Sequence, residues 1–401
     1  MPQFFNYRIE FLLLLLLTAS NFSFAQNTLV KDSLESDKTF SIVFLLPFNS
    51  QKVFIIDLST SEFNFPDESK LSIEIYEGAL FALDSLKKMG FNAIVNSYDV
   101  GNDSASIQNI LTKKEVKDAD LIIGPINGVS LKQAASFALR EHIPLISPLS
   151  ATYFPNDPNQ FLILANATMQ THCEFIYDYL LDHELVHRMI MVYRKNNQDL
   201  ELVKFIKDYR DKKTEQGSPE INFVELTDSS ETTFRKLKDS LYFTDKNIIL
   251  IPSSDEVFVR SMMKRITNLD SAYHIQVYGM PTWNNFTLIP SSQFDSSQTK
   301  ITSSFFLDQS LPQADSFKVA YHLKYGFNPT ANSLKGYNLM LYFGKQLLKY
   351  QDKFMVTFPL SAFLGCNIKV VPVMKVPDVL YRENKSLFML QHSNGNWRLG
   401  W

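Results

Sequence analysis

Residues 119–125 read Ala-Asp-Leu-Ile-Ile-Gly-Pro, and residues 143–148 read Ile-Pro-Leu-Ile-Ser-Pro. Each holds an unbroken apolar run that stops at a small residue followed by proline. A strand with one face in water alternates apolar and polar residues; an unbroken run needs cover on both faces. Proline has no N–H for a ladder, so each run ends there. Ser130 to His142 between them has helical spacing. Working outward, Phe40 to Leu46 is a third run, apolar apart from Ser41, ending at Pro47. Residues 71–89 place Ile75, Ala79, Leu83 and Leu86 on one helical stripe that Gly90 ends. Ala93 to Tyr98 closes on Asp99, and residues 105–117 read as a helix. Four strand–helix units with short loops predict a parallel sheet with helices on both faces.

Phe161 to Ala165 reads as a connecting strand, after which the alternation restarts. Met169–Leu181 and Leu200–Tyr209 are helical, as are residues 230–241 and 255–267. Met189–Tyr193, Ile221–Leu226, Ile248–Ile251 and Ile275–Tyr278 read as strands. This is a second α/β unit of similar size, alike in pattern but not in residues. In the tail, Ile301–Leu307 reads as a strand, and Phe317–Tyr325 and Leu334–Tyr350 as helices. Leu387–Gln391 and Trp397–Leu399 flank Asn394-Gly395, the strongest short hairpin signal.

The chain of 401 residues is too long for one ordinary domain and comfortable for two. It is 45% hydrophobic, enough for substantial cores. Its 39 Lys and Arg against 42 Asp and Glu leave a net charge of −3, which gives no footprint for nucleic acid or a polybasic membrane surface. Only 13 glycines are present, and neither GxGxxG nor GxxxxGK[ST] occurs, so nucleotide-driven chemistry and a phosphate cofactor are not expected. Residues 1–25 read as an export signal: Arg8, the apolar run Phe11–Leu17, then Ser23-Phe24-Ala25 at the cleavage site. Residues 26–39 are a polar linker. No later stretch reaches eighteen apolar residues, so the mature chain is expected to have no membrane span. No cysteine lies near the cleavage site, which argues for a soluble periplasmic protein over a lipid-anchored one. Cys173 and Cys366 are the only cysteines; an oxidising compartment would allow them to pair, but nothing in the pattern requires it.

Taken in order, these segments resemble the type I periplasmic binding protein family, its leucine/isoleucine/valine-binding branch in particular. The carriers are Glu77-Gly78-Ala79-Leu80-Phe81-Ala82-Leu83, Tyr98-Asp99 with Asn102-Asp103, and the two stretches ending Gly124-Pro125 and Ser147-Pro148. Tyr325-Gly-Phe-Asn-Pro329, Gly336-Tyr337-Asn338 and Glu383-Asn384-Lys385 complete the likeness, which spans essentially the whole mature chain. The resemblance implies an α/β fold of two doubly wound, Rossmann-like lobes with interleaved chain crossings. Residues 40–165 plus 303–352 would form lobe one, and 166–302 plus 353–401 lobe two. It implies a non-catalytic solute-binding protein that closes on a small ligand, an amino acid or similar, for a membrane permease or an envelope sensor. The family's amino-acid binders hold the ligand carboxylate with small hydroxyl residues and backbone amides near these strand ends. Here Gly124-Pro125 is followed by Ile126-Asn127 with no hydroxyl residue directly after the proline, whereas Ser147, Leu149, Ser150, Ala151 and Thr152 keep the hydroxyls. Loss of the first hydroxyl also fits a cell-envelope regulator that uses the fold as a protein-interaction module.

Ligands of open α/β sheets sit off the carboxyl ends of the strands. That rule adds Asn49, Ser50 and Asp99 in lobe one, and Tyr193, Arg194, Ser253, Ser254 and Trp283 in lobe two. Arg194 suits a carboxylate or phosphate, and Trp283 an apolar or ring-bearing ligand. His183-Glu184-Leu185-Val186-His187 spells HExxH, which on an unbroken helix would bind zinc with Glu184 as general base. Met189-Ile-Met-Val-Tyr193 follows at once as a strand, so the helix must end near His183 and leave the pair out of register. A polar helix-end loop is the better reading, with no metal site. GxSxG is absent, so no hydrolase nucleophile stands out either.

Overall fold

The computed structural model describes residues 38–53, 66–101, 104–126, 128–151, 155–184, 188–213, 219–227, 231–243, 245–269 and 271–400. The expected export signal and the linker to residue 37 lie outside the described residues.

The first sheet is built on β1 (Thr39–Leu46), β2 (Asn92–Asp99), β3 (Leu121–Ile123), β4 (Leu145–Ser147) and β5 (Leu162–Leu164). All five pair in parallel in the order 2-1-3-4-5. The unbroken apolar runs have the expected cause. Phe40, Ile42, Phe44 and Leu46 of β1 enter one core layer, with Leu121, Ile123 and Ile146. Val43 and Leu45 enter the opposite layer with Ile122, Leu145, Leu162 and Leu164. The first layer is roofed by α1 (Asp67–Lys87), the second by α2 (Ser104–Leu111) and α3 (Gly128–Glu141). Burying strand side chains on both faces is what a period of two demands when no face meets water.

The second sheet repeats the plan with β6 (Arg188–Arg194), β7 (Glu220–Leu226), β8 (Asn247–Leu250), β9 (Ile275–Gly279) and β10 (Lys300–Ser303), in the order 7-6-8-9-10. Its helices α4 (Met169–His183), α5 (Asn197–Lys212), α6 (Glu231–Lys238) and α7 (Glu256–Ile266) cover a core that includes Tyr177, Met191, Ile249, Met262 and Val277. The closing hairpin forms as the sequence predicts. Its strands β15 (Phe388–Ser393) and β16 (Asn396–Leu399) join antiparallel to β10 through β15. Asn394 and Gly395 both hold positive φ, 52° and 77°, as the tight hairpin turn requires.

After β10 the chain leaves the second sheet, and α8 (Pro312–Tyr325) and α9 (Ala331–Tyr350) pack onto α1. Here two glycines set the helix spacing. A Cβ on Gly78 would lie 1.8 Å from the Ser333 carbonyl oxygen, and one on Gly336 would lie 2.1 Å from that of Ile75. The helices therefore touch backbone to backbone, which no larger residue permits at either position.

One expectation needs correcting. Residues 353–401 do not all belong to lobe two. Among them, β13 (Val370–Lys375) and β14 (Asp378–Asn384) extend the first sheet, β14 lying parallel to β5 with Arg382 opposite Ile163 and Glu383 opposite Leu164. A small pair, β11 (Ser361–Phe363) and β12 (Cys366–Ile368), packs there too. The last crossing falls after Asn384, not near residue 353, because β5 offers a free edge that β14 satisfies. Crossings thus occur after β5, after β10 and after β14. The last is tied to the first. The buried carboxylate of Glu383 accepts the Thr168 N–H at 2.7 Å and the Thr171 hydroxyl at 2.6 Å, at the amino end of α4. An anion is favoured there by the helix dipole.

Candidate functional site

In each lobe, strand order reverses beside the first strand of the unit, and loops leave its carboxyl end on both sides. In lobe one, β1 delivers Asn49 and Ser50 to that end, and β2 delivers Asp99. The Asp99 carboxylate accepts the N–H groups of Asn49 (3.0 Å), Ser50 (2.7 Å) and Gly101 (3.2 Å), and the Ser50 hydroxyl at 2.7 Å. Burial alone would raise its pKa, but these hydrogen bonds outweigh it and hold the group below the usual carboxylate range. Asp99 therefore caps the helical turn Ser50–Val53 and shapes the rim. Gly124 sits at φ 98°, and a Cβ there would meet the Leu45 carbonyl oxygen at 2.0 Å, so β3 must end on glycine. The Ser147 hydroxyl, fully buried, donates to the Pro125 carbonyl at 3.1 Å, and the Ser150 hydroxyl to that of Ile126 at 3.5 Å. Ile126 itself packs against the core. The Ala151 carbonyl accepts the Met169 N–H at 3.0 Å. The hydroxyl residues that the resemblance assigns to a ligand carboxylate thus brace one loop against the next. Asn127 and Thr152 lie outside the described residues.

In lobe two, Tyr193 is buried and Arg194 ends β6 within a closed network. Its guanidinium donates to Asp199 at 3.1 Å, to Asp255 at 2.8 Å and to the Ser253 hydroxyl at 3.2 Å, while lying 4.3 Å from the Phe258 ring centroid. Both carboxylates that match its fork are supplied by the protein, so Arg194 is not a free anchor for an anionic ligand. The Ser253 hydroxyl in turn donates to Asp199 at 3.0 Å. Ser254 is exposed on the same loop. Trp283 has no exposed surface. It stacks with Phe286 and Phe294, and its indole N–H donates to the Ser253 carbonyl at 2.8 Å. It stiffens the loop that carries Ser253 and offers no face to a ligand.

The HExxH spelling also acquires a structural account. Helix α4 ends at His183, whose ring stacks on Tyr179 at 4.3 Å. Glu184 accepts Lys300 at 2.7 Å and the Tyr278 hydroxyl at 2.6 Å, and also pairs with Lys246. Leu185, Val186 and His187 lie outside the described residues. Among the described residues no group of three or more His, Cys, Asp or Glu side chains could hold a metal. Cys173 and Cys366 are free thiols, one in each lobe's core.

A pocket of about 50 Å³ lies where the chain crosses between the lobes. Ile75, Leu149, Phe305 and Leu339 form its apolar wall, and Asn166, Ser304, Lys335 and Asn384 its polar one. Every crossing contributes: Asn166 follows β5, Ser304 and Phe305 follow β10, and Asn384 ends β14. The Ser304 hydroxyl donates to Asn166 at 2.7 Å, the Asn166 amide to the Leu149 carbonyl at 3.3 Å, and the Asn384 amide to the Ala165 carbonyl at 3.2 Å. Of the residues that sequence reasoning nominated, only Leu149 lines this pocket. The rest were missed because they meet only through the crossings. One signal was available: Lys335 is a charge set between Leu334 and Gly336 on the packed side of a helix.

Residues 81–278 match the receptor family ligand binding region. The architecture agrees across the chain. The chain has the type I periplasmic binding protein fold. Solved structures of this fold include a Rhodospirillum rubrum protein described as a branched-chain amino acid ABC transporter, with 13% identity and a TM-score of 0.66. An ABC transporter substrate-binding protein of Desulfitobacterium hafniense is similar both alone (14% identity, TM-score 0.59) and in complex with Leu (13%, 0.58). Each alignment covers 90% of this chain and 100% of the other. No curated protein matches the chain in sequence. The lobes are separate α/β units joined by crossings. No helix of the described residues is long and apolar enough to cross a membrane.

Proposed function

We propose that this protein is an exported, non-catalytic solute-binding protein that closes its two lobes on a small ligand and presents it to a membrane permease or an envelope sensor. The observation that carries the reading is the crossing pocket, where residues of every inter-lobe connection meet the loop after β4. A ligand lodged there touches the segments about which the lobes would rotate, so its binding energy acts directly on the open–closed equilibrium. The rims outside the pocket are stiff, through Asp99 in one lobe and Arg194 in the other, which favours rigid-body closure over loop rearrangement.

A thermal-shift screen of the mature protein with amino acids, short peptides and small carboxylates tests this. A true ligand at 100 times its Kd stabilises the fold by ~2.7 kcal/mol, and small-angle scattering would show compaction at the same concentration. A screen in which nothing shifts the melting point overturns the reading. That result would favour the second one, a protein-interaction module of the cell envelope. Its support is that Ser147 and Arg194 spend their polar atoms inside the protein.

A further inference from the structure

We propose that the crossing pocket is built for a small carboxylate that carries no ammonium group, with Lys335 as its counter-charge. The inference rests on the solute-binding reading and names the ligand class for that site. Among the described residues the only charged side chain lining the pocket is Lys335, in the second turn of α9. Among the described residues its ammonium has no hydrogen-bonding or ion-pair partner; its contact is the Phe305 ring, 5.3 Å away at the centroid. Lys335 is half-buried, and a cation partly withdrawn from water is costly unless an anion answers it. Burial accordingly lowers the Lys335 pKa from its ordinary value.

Among the described residues no group supplies the missing charge. The other titratable residue of the lining is Cys366, whose thiol burial pushes up to about 11, so it stays neutral. The nearby carboxylates are turned elsewhere. Glu383 holds Thr168 and Thr171, and Glu74 accepts the Asn332 amide at 2.8 Å. An anionic head group would satisfy Lys335, while Ile75, Leu149, Phe305 and Leu339 receive a short alkyl chain. The same inventory discriminates against an amino acid. Its α-ammonium would enter a pocket with one cation and no anion, where like charges repel and the new donors lack a charged acceptor. The volume of about 50 Å³ has room for roughly three or four waters, enough for a carboxylate head and a short chain.

The test is isothermal titration of the mature protein with butyrate, 2-aminobutyrate and butyramide, which share a skeleton and differ in charge. Butyrate should bind at least tenfold more tightly than either of the others. Lys335→Gln should weaken butyrate at least tenfold, while Lys345→Gln, an exposed lysine on the same helix, should change nothing. The butyramide and 2-aminobutyrate arms need no variant, so they decide the matter even if Lys335→Gln does not fold. Equal affinity for 2-aminobutyrate and butyrate, or an unchanged butyrate affinity in Lys335→Gln, overturns the inference. Binding of other solutes in the broad screen with none of the three bound overturns it too, and leaves the solute-binding reading intact. Binding of no solute at all overturns both.

Discussion

Glu184 accepts Lys300 and Tyr278 at 2.7 and 2.6 Å, in the position where an HExxH helix would carry its general base. Burial would raise its carboxyl pKa, but Lys246, Lys300 and Tyr278 together bring it down to about 2. Lys300 is buried as well, so Glu184→Gln leaves a buried cation without its anion and should lower unfolding stability by about 3 kcal/mol. Because the folded-state pKa lies below the ordinary 4.5, this stabilisation is complete above pH 4.5 and lost as pH falls toward 2. Urea midpoints across that window should therefore fall more steeply in the wild type than in Glu184→Gln; parallel curves would dismiss the account. Lys335 is the opposite case, a half-buried cation with no hydrogen-bonding or ion-pair partner among the described residues. Lys335→Met should raise the stability of the ligand-free protein by about 1 kcal/mol, and a lowered melting point would contradict the pocket's electrostatics.

At the scale of elements, the α1–α9 contact places Ile75 and Lys335 in one pocket, and Gly78 and Gly336 permit it. Gly336→Ala drives a methyl into the Ile75 backbone and should cost about 2 kcal/mol, read as a lower urea midpoint with weakened ligand binding. Gly128, whose Cβ would meet nothing within 4 Å at the amino end of α3, is the control: Gly128→Ala should be neutral or slightly stabilising. The β15–β16 hairpin was legible because its turn chemistry is local. Strands β13 and β14 were not assigned to a lobe correctly, since a strand's own residues do not state which free edge it will pair with.

For the molecule as a whole, Glu383 binds the last strand of the first sheet to the first helix of the second lobe. Glu383→Gln keeps the shape but removes the charge at the amino end of α4. It should cost about 1–2 kcal/mol and broaden the range of lobe separations seen by small-angle scattering in the absence of ligand. A scattering profile identical to that of the wild type would restrict Glu383 to a local role.

The sequence by itself determined the parallel α/β class, the doubling of the unit and the strand ends. Unbroken runs such as Ile42–Leu46 and Leu121–Ile123 can be stable only when covered on both faces, and that is a local property of the chain. The roles of the nominated residues were decided elsewhere. Ser147, Arg194 and Trp283 are the right chemical types at the right strand ends, yet each finds its partner in Pro125, in Asp199 and Asp255, or in Ser253. Only tertiary structure decided which polar groups the protein satisfies itself and which it leaves for a ligand. Lys335 falls in the second class because the three crossings that wall it in, far apart in the chain, put no carboxylate into the pocket lining: Glu383, the one beside it, is taken by Thr168 and Thr171.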